Sequence, residues 1–360
     1  MHKRRFLIII LIIVLGLTGC SLVFSEKNNS KFDKSSLENT LQTNTLDKSG
    51  SNALFHFIDV GQGDCVLIQS GDINILIDAG TSESGSVIYK YLKSHKINYL
   101  NYFIGTHPHE DHLGGAASIL SSIDVGRVFL NSDTSTSYFY ERFVDTLIER
   151  KITPVKPDMD CIYEAGAFRI KFLSPTKDFG DTNDNSLITM LEFGDIKALF
   201  MGDAERSVEA ELIQSGKDIN ADILKVGHHG SRYASSSEFL NAVYPSVAVI
   251  QCGKDNSYGH PHEETLNRLN SIDATVLRTD KDGNIVLVTD GKTIQKATGE
   301  IYEKSDSADK ISLVYIGNLK SKVFHSESCP NLPQGKNRTE FSTREDAINS
   351  GYKACGNCKP

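Results

Sequence analysis

His107-Pro108-His109-Glu110-Asp111-His112 places three imidazoles and two carboxylates within six positions. Imidazole and carboxylate are the side chains that hold zinc and similar divalent ions. In an extended loop alternate residues face the same way, so His107 and His109 can grip one ion. Asp111 and His112 can then turn toward a second. Two ions roughly 3.5–4 Å apart share a hydroxide and clamp a phosphate between them. A bound metal brings the pKa of its water toward ~7, so the expected nucleophile is hydroxide, attacking phosphorus or a carbonyl. Zinc suits the imidazoles, and a harder, oxygen-rich site also takes manganese. No serine nucleophile is needed. Ser231, Ser235, Ser236 and Ser237 read as cap and loop residues.

Such a cluster needs a frame. The apolar run 100–106 reads as a buried strand ending at the histidines. The run 197–201 ends next to Asp203, and 222–226 ends at His228 and His229. Segments 53–60, 65–69 and 73–78 read as strands split by Gly-Gln-Gly-Asp and Ser-Gly-Asp turns. Further strands are expected at 126–130, 168–173, 187–193, 247–252, 274–278, 285–289 and 293–296. Helical spacing marks 86–95, a helix from His112, 138–151, 204–215 and 263–272. Strand-rich halves with outer helices predict a layered α+β sandwich.

Three groups of residues now carry a resemblance. They are His107-x-His109-x-Asp111-His112 with Gly114-Gly115, Asp203 in Phe200-Met201-Gly202-Asp203, and His228-His229-Gly230-Ser231. Together they resemble the metallo-β-lactamase superfamily. Phe57-Ile58-Asp59-Val60-Gly61-Gln62-Gly63-Asp64 and Leu76-Ile77-Asp78-Ala79-Gly80 resemble its opening strands. With Tyr258-Gly259-His260-Pro261 added, residues 53–297 are similar to the soluble hydrolase domain of ComEC-type DNA-internalisation competence proteins. The resemblance implies a four-layer αββα sandwich with its metal site at one edge of the sheets. It gives His107 and His109 to metal one, Asp111 and His112 to metal two, and Asp203 to both. One of His228 and His229 would complete the second site while the other faces substrate. Many family members have a further histidine where this chain reads Asp184-Asn185-Ser186-Leu187. Asn185 is a poor zinc ligand, but its amide can orient a phosphate, so one tight and one loose metal are expected. His228, His229 or His260 would hydrogen-bond the substrate or protonate its leaving oxygen. Asp59, Asp64 and Asp78 read as turn residues or as supports behind the ligands.

The function these readings predict is metal-dependent cleavage of phosphodiesters, with extracellular DNA as a candidate substrate. A phosphocholine or teichoic-acid ester would suit the same site. β-Lactam hydrolysis ranks lower, because Asn185 departs from the three-histidine zinc site. A non-catalytic DNA receptor is the non-enzymatic alternative.

Near the C-terminus, His325-x3-Cys329 and Cys355-x2-Cys358 are separated by 25 residues. Two close pairs of soft ligands suit one tetrahedral structural zinc. About fifty residues make too small an apolar core to stand alone, so a metal staple is physically reasonable. Residues 313–360 resemble the small zinc-binding module of the Ada type, and 298–312 read as a linker. A Cys355–Cys358 disulfide is the alternative. Seven Lys/Arg against four acids in 311–360 allow a grip on an anionic polymer.

At the other end, Lys3, Arg4 and Arg5 precede an apolar stretch of twelve residues, too short to span a bilayer comfortably. Leu17-Thr18-Gly19-Cys20 resembles a bacterial lipobox, which implies a 1–20 signal peptide and lipidation of Cys20. An ordinary signal peptide or an uncleaved anchor is the alternative. Residues 21–52 are rich in Ser, Asn, Lys and Thr and read as a disordered tether. These features predict a lipid-anchored protein outside the cytoplasm, working with competence or other surface machinery. Composition fits this frame: 39% hydrophobic and 23% charged residues exclude a largely disordered chain. The net charge of −8 argues against a basic nucleic-acid coat. Of seven cysteines, one is assigned to lipid and three to zinc; Cys65, Cys161 and Cys252 are assigned to the core.

Overall fold

The computed structural model describes residues 50–159, 161–174, 177–298, 301–302, 315–326, 329, 331–333, 335–356 and 358. Cys20, the 1–20 signal, most of the 21–52 tether and most of the 298–312 linker lie outside the described residues. The chain divides into two compact units, 1–306 and 307–360. Among the described residues, no helix is long and apolar enough to cross a membrane.

The first unit runs β1 (Ala53–Phe57), β2 (Val66–Ser70), β3 (Ile73–Ile77), α1 (Gly85–Ser94), β4 (Tyr99–Gly105), α2 (Glu110–Leu113), α3 (Ala116–Leu120), β5 (Asp124–Leu130) and α4 (Tyr138–Glu149). It continues with β6 (Ile162–Ala165), β7 (Phe168–Phe172), β8 (Thr189–Phe193), β9 (Ile196–Phe200), α5 (Arg206–Gln214), β10 (Ile223–Lys225), α6 (Ser237–Val243) and β11 (Val247–Ile250). Last come α7 (Glu263–Asn270), β12 (Thr275–Arg278), α8 (Thr279–Asp282), β13 (Ile285–Thr289), β14 (Ile294–Lys296) and β15 (Ile301–Tyr302). One sheet has eight strands in the order β15-β14-β13-β1-β2-β3-β4-β5; the other has seven, β12-β11-β10-β9-β8-β7-β6. Strand β15 falls inside the stretch read as linker, where it pairs with β14.

Alternation along the strands explains the layering. Phe55, Phe57, Val66, Ile68, Ile75 and Ile77 of the first sheet meet Phe168, Ile170, Phe172, Leu191, Ala198 and Phe200 of the second in one core. The intervening Leu67, Leu76 and Phe103 point the other way, onto Ile88 and Leu92 of α1, Ile119 and Leu120 of α3, and Phe143 of α4. That is the period-two signature of sheets buried on both faces. On the outer side of the second sheet, Val208 and Leu212 of α5, Phe239 and Leu240 of α6, and Leu269 of α7 are buried. The result is the expected αββα sandwich. Cys65 and Cys252 are core residues as expected, whereas Cys161 is half-buried at the loop before edge strand β6.

The second unit is a four-stranded sheet in the order β18 (Arg338–Phe341), β16 (Tyr315–Asn318), β17 (Val323–Ser326), β19 (Lys353–Ala354), with helix α9 (Arg344–Asn349). Its apolar core is small: Tyr315, Phe324, Ala347 and Tyr352, with Phe341 against them.

Candidate metal centre

The chemistry-bearing residues all follow the carboxyl ends of strands. His107 comes after β4, Asp203 after β9, His228 and His229 after β10, and Asp78 after β3. Parallel pairing of β3 with β4 and of β9, β10 and β11 brings those ends together. This is the usual ligand position in α/β sheets. Asp78, His228 and His229 hold left-handed backbone angles, with φ of 58°, 46° and 52°. Non-glycine residues held there cost of order 1–3 kcal/mol each, and such strain concentrates at functional sites. Gly63 explains the first motif: a Cβ there would lie 2.4 Å from the Asp111 carbonyl oxygen. That close approach lets the Asp64 N–H donate to the same oxygen at 3.0 Å.

Asp111, His112, Asp203 and His229 present ligand atoms within 4.8 Å of one another. His112 Nε2 is 3.2 Å from Asp203 Oδ1, and His229 Nε2 is 3.2 Å from Asp111 Oδ2 and 3.5 Å from Asp203 Oδ2. His107 Nε2 sits 3.9 Å from Asp203 Oδ2 and 3.0 Å from His109 Nδ1. Asp203 therefore stands between the His107/His109 pair and the Asp111/His112/His229 group. Of the two late histidines, His229 joins the cluster. His228 stands at its edge, with Nε2 3.8 Å from Asp203 Oδ2 and its side chain 25% exposed.

Partners on the far nitrogens fix which imidazole atom faces the cluster. His229 Nδ1 donates to the Gln251 carbonyl at 2.9 Å, with Asp64 Oδ1 3.2 Å away. His112 Nδ1 faces Asp78 Oδ2 at 2.8 Å, and His228 Nδ1 faces Glu205 Oε1 at 2.7 Å. Thr106 Oγ1 donates to Asp78 Oδ2 at 2.8 Å and so accepts from His107 Nδ1 at 3.1 Å. With Nδ1 engaged behind, Nε2 of His107, His112 and His229 is the atom that faces the cluster, the orientation in which a supported histidine binds metal. Behind Asp64 lies Lys225, 1% exposed, with Nζ 2.6 Å from Asp64 Oδ2 and 2.8 Å from the Val226 carbonyl.

This donor set fits divalent zinc or manganese. His112 Nε2 and Asp203 Oδ1 are buried and face each other at 3.2 Å without the alignment of a good hydrogen bond, an arrangement that an ion between them would satisfy. The electrostatics agree. Burial alone would raise the Asp203 and Asp111 carboxyls, yet His112 and His229 hold both below the usual carboxylate range. Burial alone would lower His112 and His229, yet Asp203, with Asp78 or Asp64 behind, carries both well above the ordinary imidazole value. His107 is pushed down by burial and by His112. The centre is an acidic pocket that draws positive charge.

Asn185 is a correction. Its amide is spent on the surrounding loops: Nδ2 donates to Asp133 Oδ2 at 3.0 Å and Asp178 Oδ1 at 2.8 Å, and Oδ1 accepts from the Phe179 N–H at 3.0 Å. It has no hydrogen left to orient a phosphate. The neighbouring Ser186 reaches the centre instead, with Oγ 3.3 Å from His107 Nδ1 and accepting from the Asp203 N–H at 3.1 Å. His260 lies beside the late histidines, ring centroids 5.5 Å from His228 and 6.1 Å from His229. Burial, His229 and His228 push its pKa down to about 4, so at neutral pH it is a neutral ring that keeps one N–H to donate but does not serve as the acid. Asp59 makes a turn, accepting from the Gly61 N–H at 3.1 Å. Asp64 and Asp78 support the ligands from behind.

Sequence reasoning missed Ser186, Glu205, Lys225 and Gln251. Lys225 left one signal, a lone charge in an otherwise apolar strand run, since buried lysines are rare unless paired.

In the second unit, ligand atoms of His325, Cys329, Cys355 and Cys358 lie within 4.8 Å of one another, with His325 Nδ1 3.2 Å from Cys329 Sγ. No disulfide joins the described cysteines, so the Cys355–Cys358 bridge is absent. The three-cysteine, one-histidine set suits tetrahedral zinc.

The profile described as the Metallo-beta-lactamase superfamily matches residues 58–254, and that described as the metal binding domain of Ada matches residues 300–360. ComE operon protein 3 of Bacillus subtilis is 30% identical over 249 residues, covering 63% of this chain and 32% of that protein. Competence protein ComA of Neisseria gonorrhoeae is 29% identical over 228 residues, 62% of this chain and 30% of that protein. Recombination protein 2 of Haemophilus influenzae is 30% identical over 234 residues, 63% of this chain and 28% of that protein. The chain thus spans less than a third of the length of these relatives.

Proposed function

Because this chain belongs to the metallo-beta-lactamase superfamily, and carries a metal-binding hydrolase domain related to competence proteins, we propose that it cleaves phosphodiesters, with DNA as substrate. The observation that carries the reading is Asp203, buried between two groups of imidazole and carboxylate donors. Bound divalent zinc or manganese, one ion or two, supplies Lewis acidity and an acidified water there. His107, His109, Asp111, His112, Asp203 and His229 would hold the metal, and Thr106, Asp78 and Gln251 keep Nε2 of His107, His112 and His229 aimed inward. His228 is the proton carrier. Burial works against its charge, but the Glu205 carboxylate on Nδ1 raises its pKa above the usual value. With Nδ1 on Glu205, Nε2 is the atom at the rim that would pass a proton to the leaving oxygen.

Lipidation of Cys20 would place this domain outside the cytoplasm on a membrane surface, where incoming DNA is within reach. The names of the three relatives support the DNA assignment, and the zinc module adds basic charge for an anionic polymer. The test is digestion of single- and double-stranded DNA by the full-length, metal-reconstituted chain, with a phosphocholine ester in parallel. DNA cleavage lost in Asp203→Ala and His109→Ala supports the reading. Turnover of the phosphocholine ester alone moves the substrate to that class. DNA binding with no turnover under any divalent metal makes the protein a receptor.

A further inference from the structure

Beside the metal centre one large aromatic ring faces solvent with nothing in the chemistry so far to use it. Tyr258 is 65% exposed. Its inner face stacks on His260, with centroids 5.7 Å apart and planes 22° from parallel. His260 in turn touches His228 and His229, so Tyr258 is two ring contacts from the cluster.

The rung is built to stay in place. Asn256 Nδ2 donates to the carbonyls of Gly253 at 2.9 Å and His260 at 2.5 Å, and Asn256 Oδ1 accepts from the His260 N–H at 3.0 Å. On the far side, the His262 N–H donates to the Gly230 carbonyl at 3.0 Å, and His262 Nδ1 accepts from the Arg232 N–H at 3.1 Å. A Cβ on Gly230 would lie 2.6 Å from Pro261 Cβ, so the two loops are pressed together. The Tyr258 turn is thus locked to the loop that carries His228 and His229. On that same loop Tyr233 is 60% exposed next to Arg232, whose half-exposed guanidinium lies 3.3 Å from the Glu264 carboxylate.

We propose that Tyr258, backed by His260, is a stacking platform for an unpaired nucleobase attached next to the scissile phosphate. An exposed aromatic face held in place beside the phosphate site is how sequence-tolerant single-strand sites are made. A paired base offers only its edges, so the platform selects single strands. The inference rests on the phosphodiester reading above and narrows it to single-stranded DNA.

The experiment compares two single-stranded oligonucleotides of equal length, one of them abasic throughout, with bis(p-nitrophenyl) phosphate as a third substrate. The full-length metal-loaded chain is assayed as wild type, Tyr258→Ala and Tyr258→Trp. Stacking on an aromatic is worth roughly 5- to 150-fold per base. The wild type should show a KM of about that ratio lower for the base-bearing oligonucleotide. Tyr258→Ala should remove the difference with kcat nearly unchanged, and Tyr258→Trp should keep it. An equal change on both oligonucleotides, or none on either, overturns the platform. Turnover of bis(p-nitrophenyl) phosphate with no cleavage of either oligonucleotide also overturns it, and leaves the metallohydrolase standing. No turnover of any substrate sinks the underlying reading itself.

Discussion

Lys225→Met is the sharpest probe of how the centre is held. The ammonium is 1% exposed and sits 2.6 Å from Asp64, whose carboxylate is itself buried beside His229. Burial raises the Asp64 carboxyl, and Lys225 followed by His229 pull it below its ordinary value. Removing one partner of a buried pair strands the other and costs about 3–5 kcal/mol. For a unit of this size, each kcal/mol moves the midpoint by roughly 2–4 °C, so the metal-free chain should melt about 10 °C lower. The assay is thermal unfolding of the full-length chain at neutral pH in the presence of a chelator. Asp64→Asn added to Lys225→Met removes the stranded charge and should recover most of the loss. A shift under roughly 3 °C in the single variant refutes the reasoning. So does a double variant no more stable than the single.

Three further outcomes follow from the same geometry. Burial pushes Glu209 up to about 6, despite donation from the N–H groups of Ser235 and Ser236. A raised carboxyl gives stability that is complete below ~4.5 and lost as pH rises through about 6, worth on the order of 2 kcal/mol. Wild type should therefore lose that much relative to Glu209→Gln between pH ~4.5 and ~7 in matched denaturation series. Glu205→Gln takes the carboxylate from His228, so the alkaline limb of the pH–rate profile should move to lower pH and kcat should fall at neutral and higher pH while changing little at the acid plateau. An unmoved limb would take the proton role away from His228. In the C-terminal unit, chelation should expose Cys329, Cys355 and Cys358 to a thiol reagent while Cys65 stays unreactive, because so few apolar side chains pack there.

The fold was legible because most strands of the two sheets are buried on both faces, which writes near-continuous apolar runs into strands such as β2, while β7 alternates. Four of the candidate metal ligands, His107, His109, Asp111 and His112, were legible because they fall in one six-residue run. What escaped was non-local. Edge strand β6 carries one-sided burial and reads as loop. Helix α6 begins in a serine run; Ser236 turns out to be its cap, accepting from the Phe239 N–H at 3.3 Å. The choice of His229 over His228 depends on two left-handed residues that turn the side chains apart, and no spacing rule encodes them. Asn185 was misread because its partners, Asp133 and Asp178, lie 52 and 7 positions away and meet it only after folding.

Calorimetric titration of the metal-free full-length chain with Mn²⁺ or Zn²⁺, paired with hydrolysis of bis(p-nitrophenyl) phosphate, tests the central claim most directly. The account predicts turnover that appears only with metal and disappears in Asp203→Ala, together with loss of metal binding outside the C-terminal zinc module. Wild-type turnover in full chelator, or an Asp203→Ala chain that binds metal and turns over as wild type does, would contradict it.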